Sequence, residues 1–119
     1  MSGLFKTFVT ATAIATGSAA SAAGGWTDEA VPARVEIVRD QGILIFGDFG
    51  NPGPNPCASG NAVWVPKSHS EYTEVLSSAL AAVAGQLKLK FYVHYCATVG
   101  WHGSDYNQYS AAGAMFISR

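Results

Sequence analysis

The chain has 119 residues, 49% of them hydrophobic, with seven Lys or Arg against eight Asp or Glu and a formal net charge of −1. That length fits one domain. The near balance of sparse charges leaves no basic field, so a nucleic-acid backbone is excluded as the expected partner.

Residues 1–23 read as a signal peptide. Lys6 stands ahead of a run of Phe, Val, Ala, Thr and Ile, and no charge returns before Asp28. Ala20-Ser21-Ala22 has the small-x-small form of a cleavage site, with Ala23 as a second site. The stretch lacks the long Leu/Ile/Val run of a spanning helix, so no membrane attachment is expected after cleavage. Without Lys6, residues 24–119 keep six of the seven basic residues against eight acidic ones, a net charge near −2. Export predicts a periplasmic or secreted protein, and a domain of this size gains from a covalent staple. Cys57 and Cys96 are the two cysteines, and an oxidising compartment pairs them. The loop they close is worth roughly 3–4 kcal/mol by chain entropy.

Val35-Glu36-Ile37-Val38-Arg39 alternates as a first strand, Asp40-Gln41-Gly42 is a tight turn, and Ile43 to Phe46 returns as a second strand. Pro, Gly and Asn crowd Asp48 to Asn61, which reads as a loop holding Cys57. Ala62-Val63-Trp64-Val65 is a short third strand that Pro66 stops.

Ser68 with Glu71 three residues later has capping-box spacing, and Ser70 is an alternative cap. Tyr72, Val75, Leu76, Ala79, Leu80 and Val83 then fall on one helical stripe, which a neighbouring sheet must cover. Gly85 supplies a left-handed stop. From Leu87 the period becomes two, with Leu87, Leu89, Phe91, Val93 and Tyr95 on one face and Lys88, Lys90, Tyr92 and His94 on the other. Ala97 to Ala111 reads as an irregular aromatic loop, and Ala114-Met115-Phe116-Ile117 as a fifth strand.

The order β-β-β-α-β-β is that of an OB-like five-stranded antiparallel barrel, mainly β with a single helix. An open antiparallel sheet crossed by one helix has the same order.

Trp26-Thr27-Asp28, the hairpin, Asn55-Pro56-Cys57, the helix from Tyr72 to Ala82 and a strand ending in Cys96 together resemble a group of small exported bacterial proteins. Their layout is similar to the B subunits of pentameric AB toxins of the subtilase cytotoxin B type. The resemblance implies an OB-fold, a disulfide, a ring of subunits and recognition of cell-surface glycans. In those B subunits a serine early in the first strand helps to hold sialic acid. Here no serine lies between Trp26 and Ser59, so no binding residue is carried over.

Three histidines, His69, His94 and His102, show no ligand-type spacing, and the disulfide uses both thiols, so no metal or cofactor is expected. There is no Gly-x-Ser-x-Gly, and Ser68 and Ser70 flank a helix start, where serines cap. Asp48 and Asp105, each on a loop, are the one pair of carboxylates to consider for glycoside hydrolysis, and solvated loop acids explain them equally well. The expected protein is therefore not an enzyme. Trp101, Tyr106, Asn107 and Tyr109 combine flat apolar rings with a side-chain amide, the chemistry that stacks on sugar C–H groups and hydrogen-bonds hydroxyls. OB-folds bind oligosaccharides with the corresponding loop. The expectation is a carbohydrate-binding module. Its rival is a subunit of a homo- or hetero-oligomer, in which the same aromatics form a lid or meet a neighbour.

Overall fold

The computed structural model describes residues 24–52, 56–99 and 101–119. The signal peptide expected at 1–23 lies outside them, as does Asn55 of the Asn55-Pro56-Cys57 signature. The elements in chain order are β1 (Gly25–Trp26), β2 (Arg34–Val38), β3 (Gly42–Phe46), β4 (Ser59–Pro66), α1 (Tyr72–Gly85), β5 (Lys88–Val93), β6 (Tyr95–Thr98), β7 (Asp105–Gln108) and β8 (Met115–Ser118). Over the described residues the protein is mainly β with one helix and a Cys57–Cys96 disulfide.

The strands form two open sheets, β1-β5-β8 and β2-β3-β4-β7-β6, where a closed five-stranded barrel was expected. The cause lies in two stretches of chain that pass from one sheet to the other. The strand predicted to run unbroken from Leu87 to Tyr95 bends at His94. The Tyr92 N–H donates to the Ala114 carbonyl, whereas the His94 N–H donates to the Gln108 carbonyl. Alternation is lost across that bend: Leu89, Phe91 and Val93 are buried, but Tyr95 is exposed. On the opposite side the Thr27 and Ala30 amides bond to β5, and the Ala33 amide bonds to Phe46 of β3. Between them lies Pro32, which has no N–H to give to a ladder.

The β2–β3 hairpin forms as predicted, in the register Val35↔Ile45 and Ile37↔Ile43. Its turn places Asp40 at φ 62°, a left-handed conformation that Asp tolerates. At Gly42 the backbone passes so close to β4 that a Cβ would meet the Val65 carbonyl oxygen and the Trp64 ring. Beyond the hairpin, β4 is longer than predicted and pairs in parallel with β7. β7 itself lies inside the stretch read as an irregular loop. The aromatic and amide residues there pack and pair, and the polar composition of the stretch hid this.

All of β3 is buried because both faces of the larger sheet are covered. On one face Ile43, Ile45, Val63 and Val65 pack with Val75, Ala79 and Ala82 of α1 and with Leu89, Phe91 and Val93 of β5. On the other face Val38, Leu44, Phe46 and Trp64 pack under Val99 and Tyr106.

The helix sits one step around its axis from expectation. Its buried line is Val75, Ala79 and Ala82, while Leu80 is 53% exposed. Small alanines let the helix backbone approach the sheet, which turns Leu80 outward. Neither Ser68 nor Ser70 caps it. Instead the Glu71 N–H donates to Nδ1 of His69 at 2.9 Å, and His69 Nε2 meets the Ser110 carbonyl at 3.1 Å. The left-handed stop is Gln86 at φ 58°, one residue after Gly85.

Candidate functional site

β6 and β7 are joined by a short loop, and Trp101 stands on it. Its indole is 83% exposed, although the residue beside it is firmly held. Nε2 of His102 lies 3.0 and 3.1 Å from the two Glu36 carboxylate oxygens. On the other side of the ring Nδ1 is 3.1 Å from the Tyr106 hydroxyl. Because an imidazole hydrogen-bonded to a carboxylate carries its proton on that nitrogen, Tyr106 donates to Nδ1 and Nε2 donates to Glu36. The His102 amide closes the turn onto the Val99 carbonyl at 2.9 Å. Phe46 and Tyr106 flank the imidazole. The loop thus presents a wet indole from a base anchored on β2 and β7.

The other residues predicted for the site do not join Trp101 on one surface. Tyr106 is buried in the second core cluster, with its hydroxyl engaged by His102. Asn107 is buried, and its amide donates to Asn51 Oδ1 at 2.8 Å and toward the Gly50 carbonyl at 3.4 Å. Asn51 in turn accepts from the Cys57 N–H at 3.1 Å and donates to the Cys57 carbonyl at 3.0 Å. These bonds, with the Cys57–Cys96 bridge at a Cα–Cα distance of 5.5 Å, bind the Pro/Gly-rich loop to β6 and β7. Tyr109 is 3% exposed and stacks on His69 at 4.7 Å.

The three histidines fall into separate roles. His69 precedes α1, His94 bonds Ser110 Oγ at 2.9 Å, and His102 holds Glu36. Among the described residues, the one grouping of metal-ligand type is Cys57, Cys96 and Asp105. Its two sulfurs are spent on each other, and Asp105 accepts from the Ala58 amide.

A second aromatic surface escaped the sequence reading. Trp26 stacks on Phe116 at 5.2 Å and meets Tyr92 edge-on at 5.2 Å, with the Lys90 ammonium 5.5 Å from its ring. Phe116 is 57% exposed, and Ile117 beside it is also exposed. Both lie on β8, an outer strand of the smaller sheet. Only pairing of both β1 and β8 with β5 gathers these rings, and no local pattern announces that pairing. The contact between Glu36 and His102 was hidden in the same way, 66 residues apart in sequence.

No family model, curated protein or solved structure matches the chain. Among the described residues no helix is long and apolar enough to cross a membrane. The disulfide is consistent with an oxidising location outside the cytoplasm.

Proposed function

We propose that the protein is an exported binding domain, not a catalyst, that recognises carbohydrate with the loop carrying Trp101. The observation that carries this reading is the anchored but exposed indole. An exposed tryptophan contributes little to the core, and a fixed base means that stacking a sugar on it orders little additional chain. The partly exposed Glu36 carboxylate, which keeps acceptor capacity beyond its bond to His102, supplies a polar group for a sugar rim. The site is smaller than the four residues predicted: Tyr106 holds it from within through His102, while Asn107 and Tyr109 are buried away from it, on Asn51 and on His69. Removal of residues 1–23 and a periplasmic or secreted location belong to this reading.

An OB-like relationship is part of the proposal. What supports it is the order along the chain of a hairpin, a third strand paired to it, the helix and then further strands. The resemblance of the sequence to toxin B subunits suggests glycans at a cell surface as the ligand class. The decisive experiment is a glycan array with the wild type and Trp101→Ala. Retention of the wild type on a defined glycan, lost in the variant, supports the reading, whereas an array without any wild-type signal removes it.

A second reading rests on the Trp26–Phe116 stack. In it, an outer β8 strand with exposed Phe116 and Ile117 pairs with a second copy, giving a homo-oligomer. Light scattering on the wild type and Phe116→Lys tests it: a wild-type mass several times that of the monomer, falling in the variant, is the expected result.

A further inference from the structure

A groove of about 310 Å³ runs between the start of α1 and the chain leading into β8, lined by Glu71, Glu74, Val75, Tyr109, Ala114 and Met115, with Ser78 at its side. It is distinct from the Trp101 loop and from the Trp26 surface. We propose that it binds a small organic ammonium ion, a protonated primary amine on a short hydrocarbon body.

Three observations converge on that ligand. First, both carboxylates are exposed, and among the described residues neither has an ion-pair partner. Glu74 in the first turn complements the helix dipole, which accounts for that charge alone. It does not account for a second carboxylate beside a groove with no basic group in its lining. Second, Tyr109 is only 3% exposed, yet among the described residues its hydroxyl makes no hydrogen bond. A buried hydroxyl without a partner is costly, and Tyr109 lines the groove within the field of Glu71. Burial first, and then the Glu71 charge, push its pKa up, so it stays a neutral phenol. Third, Val75, Ala114 and Met115 give the groove an apolar side next to its acidic one.

An alkylammonium satisfies all three together. Its N–H groups donate to Glu71, Glu74 and the Tyr109 oxygen, and its hydrocarbon covers Val75 and Met115. The volume is at the small end of ligand sites, which limits the body to a few carbons. An anion is repelled by the carboxylates, and a neutral alcohol leaves them unpaired.

The test is an NMR titration of the purified protein with n-butylammonium chloride, n-butanol and calcium chloride at matched ionic strength. Saturable amide shifts confined to Glu71–Ser78 and Tyr109–Met115, with the amine alone, are expected. Glu71→Gln combined with Glu74→Gln should weaken the amine by about tenfold or more, since charge-assisted bonds are lost. Tyr109→Phe keeps the ring and its stack on His69, and should weaken it several-fold. Equal shifts with n-butanol would reduce the groove to an apolar hollow, and equal shifts with calcium would make it an unselective acidic patch. Either result overturns the proposal, as does unchanged amine affinity in the double Gln variant. None of these outcomes bears on glycan retention by Trp101.

Discussion

Nε2 of His102 sits 3.0 Å from Glu36 Oε1, joining the loop after β6 to the first strand of the hairpin. Through that bond Trp101 gains a fixed platform. Trp101→Ala should therefore leave the melting temperature nearly unchanged while abolishing glycan retention. His102→Ala should lower both, because it frees the loop and leaves the buried Tyr106 hydroxyl without its acceptor, a cost of about 1–3 kcal/mol. Thermal melts of the two variants beside the array separate an exposed recognition residue from the one that holds it.

The disulfide closes a loop with a sequence separation of 39. Replacing Cys57 and Cys96 together by Ser should cost about 4 kcal/mol in a denaturant melt, by the chain-entropy relation. Non-reducing digestion and mass spectrometry should show the two peptides linked in the wild type. Two freely alkylated thiols would remove the staple from the account.

Leu80 and Phe91 divide the helix question between them. Leu80 is exposed, so Leu80→Ala should change stability by no more than about 0.5 kcal/mol. Phe91 is fully buried against Phe49 and Tyr109, so Phe91→Ala should cost about 3–5 kcal/mol. A large effect at Leu80 would mean that another surface covers the helix.

At the start of α1, Ser68→Ala and Ser70→Ala should be nearly silent. His69→Phe keeps a ring for Tyr109 to stack on, but removes the acceptor of the Glu71 amide and the bond to the Ser110 carbonyl. The loss should be about 1–3 kcal/mol, read in a urea melt.

Tyr109 gives the alkaline limb of stability a sign. Its pKa lies above the ordinary 10.0 because of burial and then Glu71. The folded state therefore holds the phenolic proton more tightly than the unfolded chain does. The resulting stability is fully present below pH 10 and is lost as pH rises through the folded value. Tyr109→Phe should flatten the decline above pH 10 in melts taken across that range.

Local spacing was enough for several elements. Alternation from Val35 to Val38, the turn at Asp40 and the apolar run from Ile43 to Phe46 determined the hairpin, because turn chemistry and period act between near neighbours. Having only two cysteines determined the bridge, since only one intramolecular pairing exists. The helix was legible from Tyr72 to Val83, but its rotation was not. Whether Leu80 or Ala82 faces inward depends on how closely the sheet approaches, and only the packed neighbours set that distance. Likewise, nothing in the polar run from Ala97 to Ala111 distinguished a loop from a strand. Tertiary structure decided it, by offering β4 as a parallel partner for β7 and Asn51 as a partner for buried Asn107. The same long-range pairings drew His102 to Glu36, left Trp101 alone in solvent and divided the expected barrel into two sheets. Each of these contacts spans dozens of residues, and its free energy exists only once the chain has closed on itself.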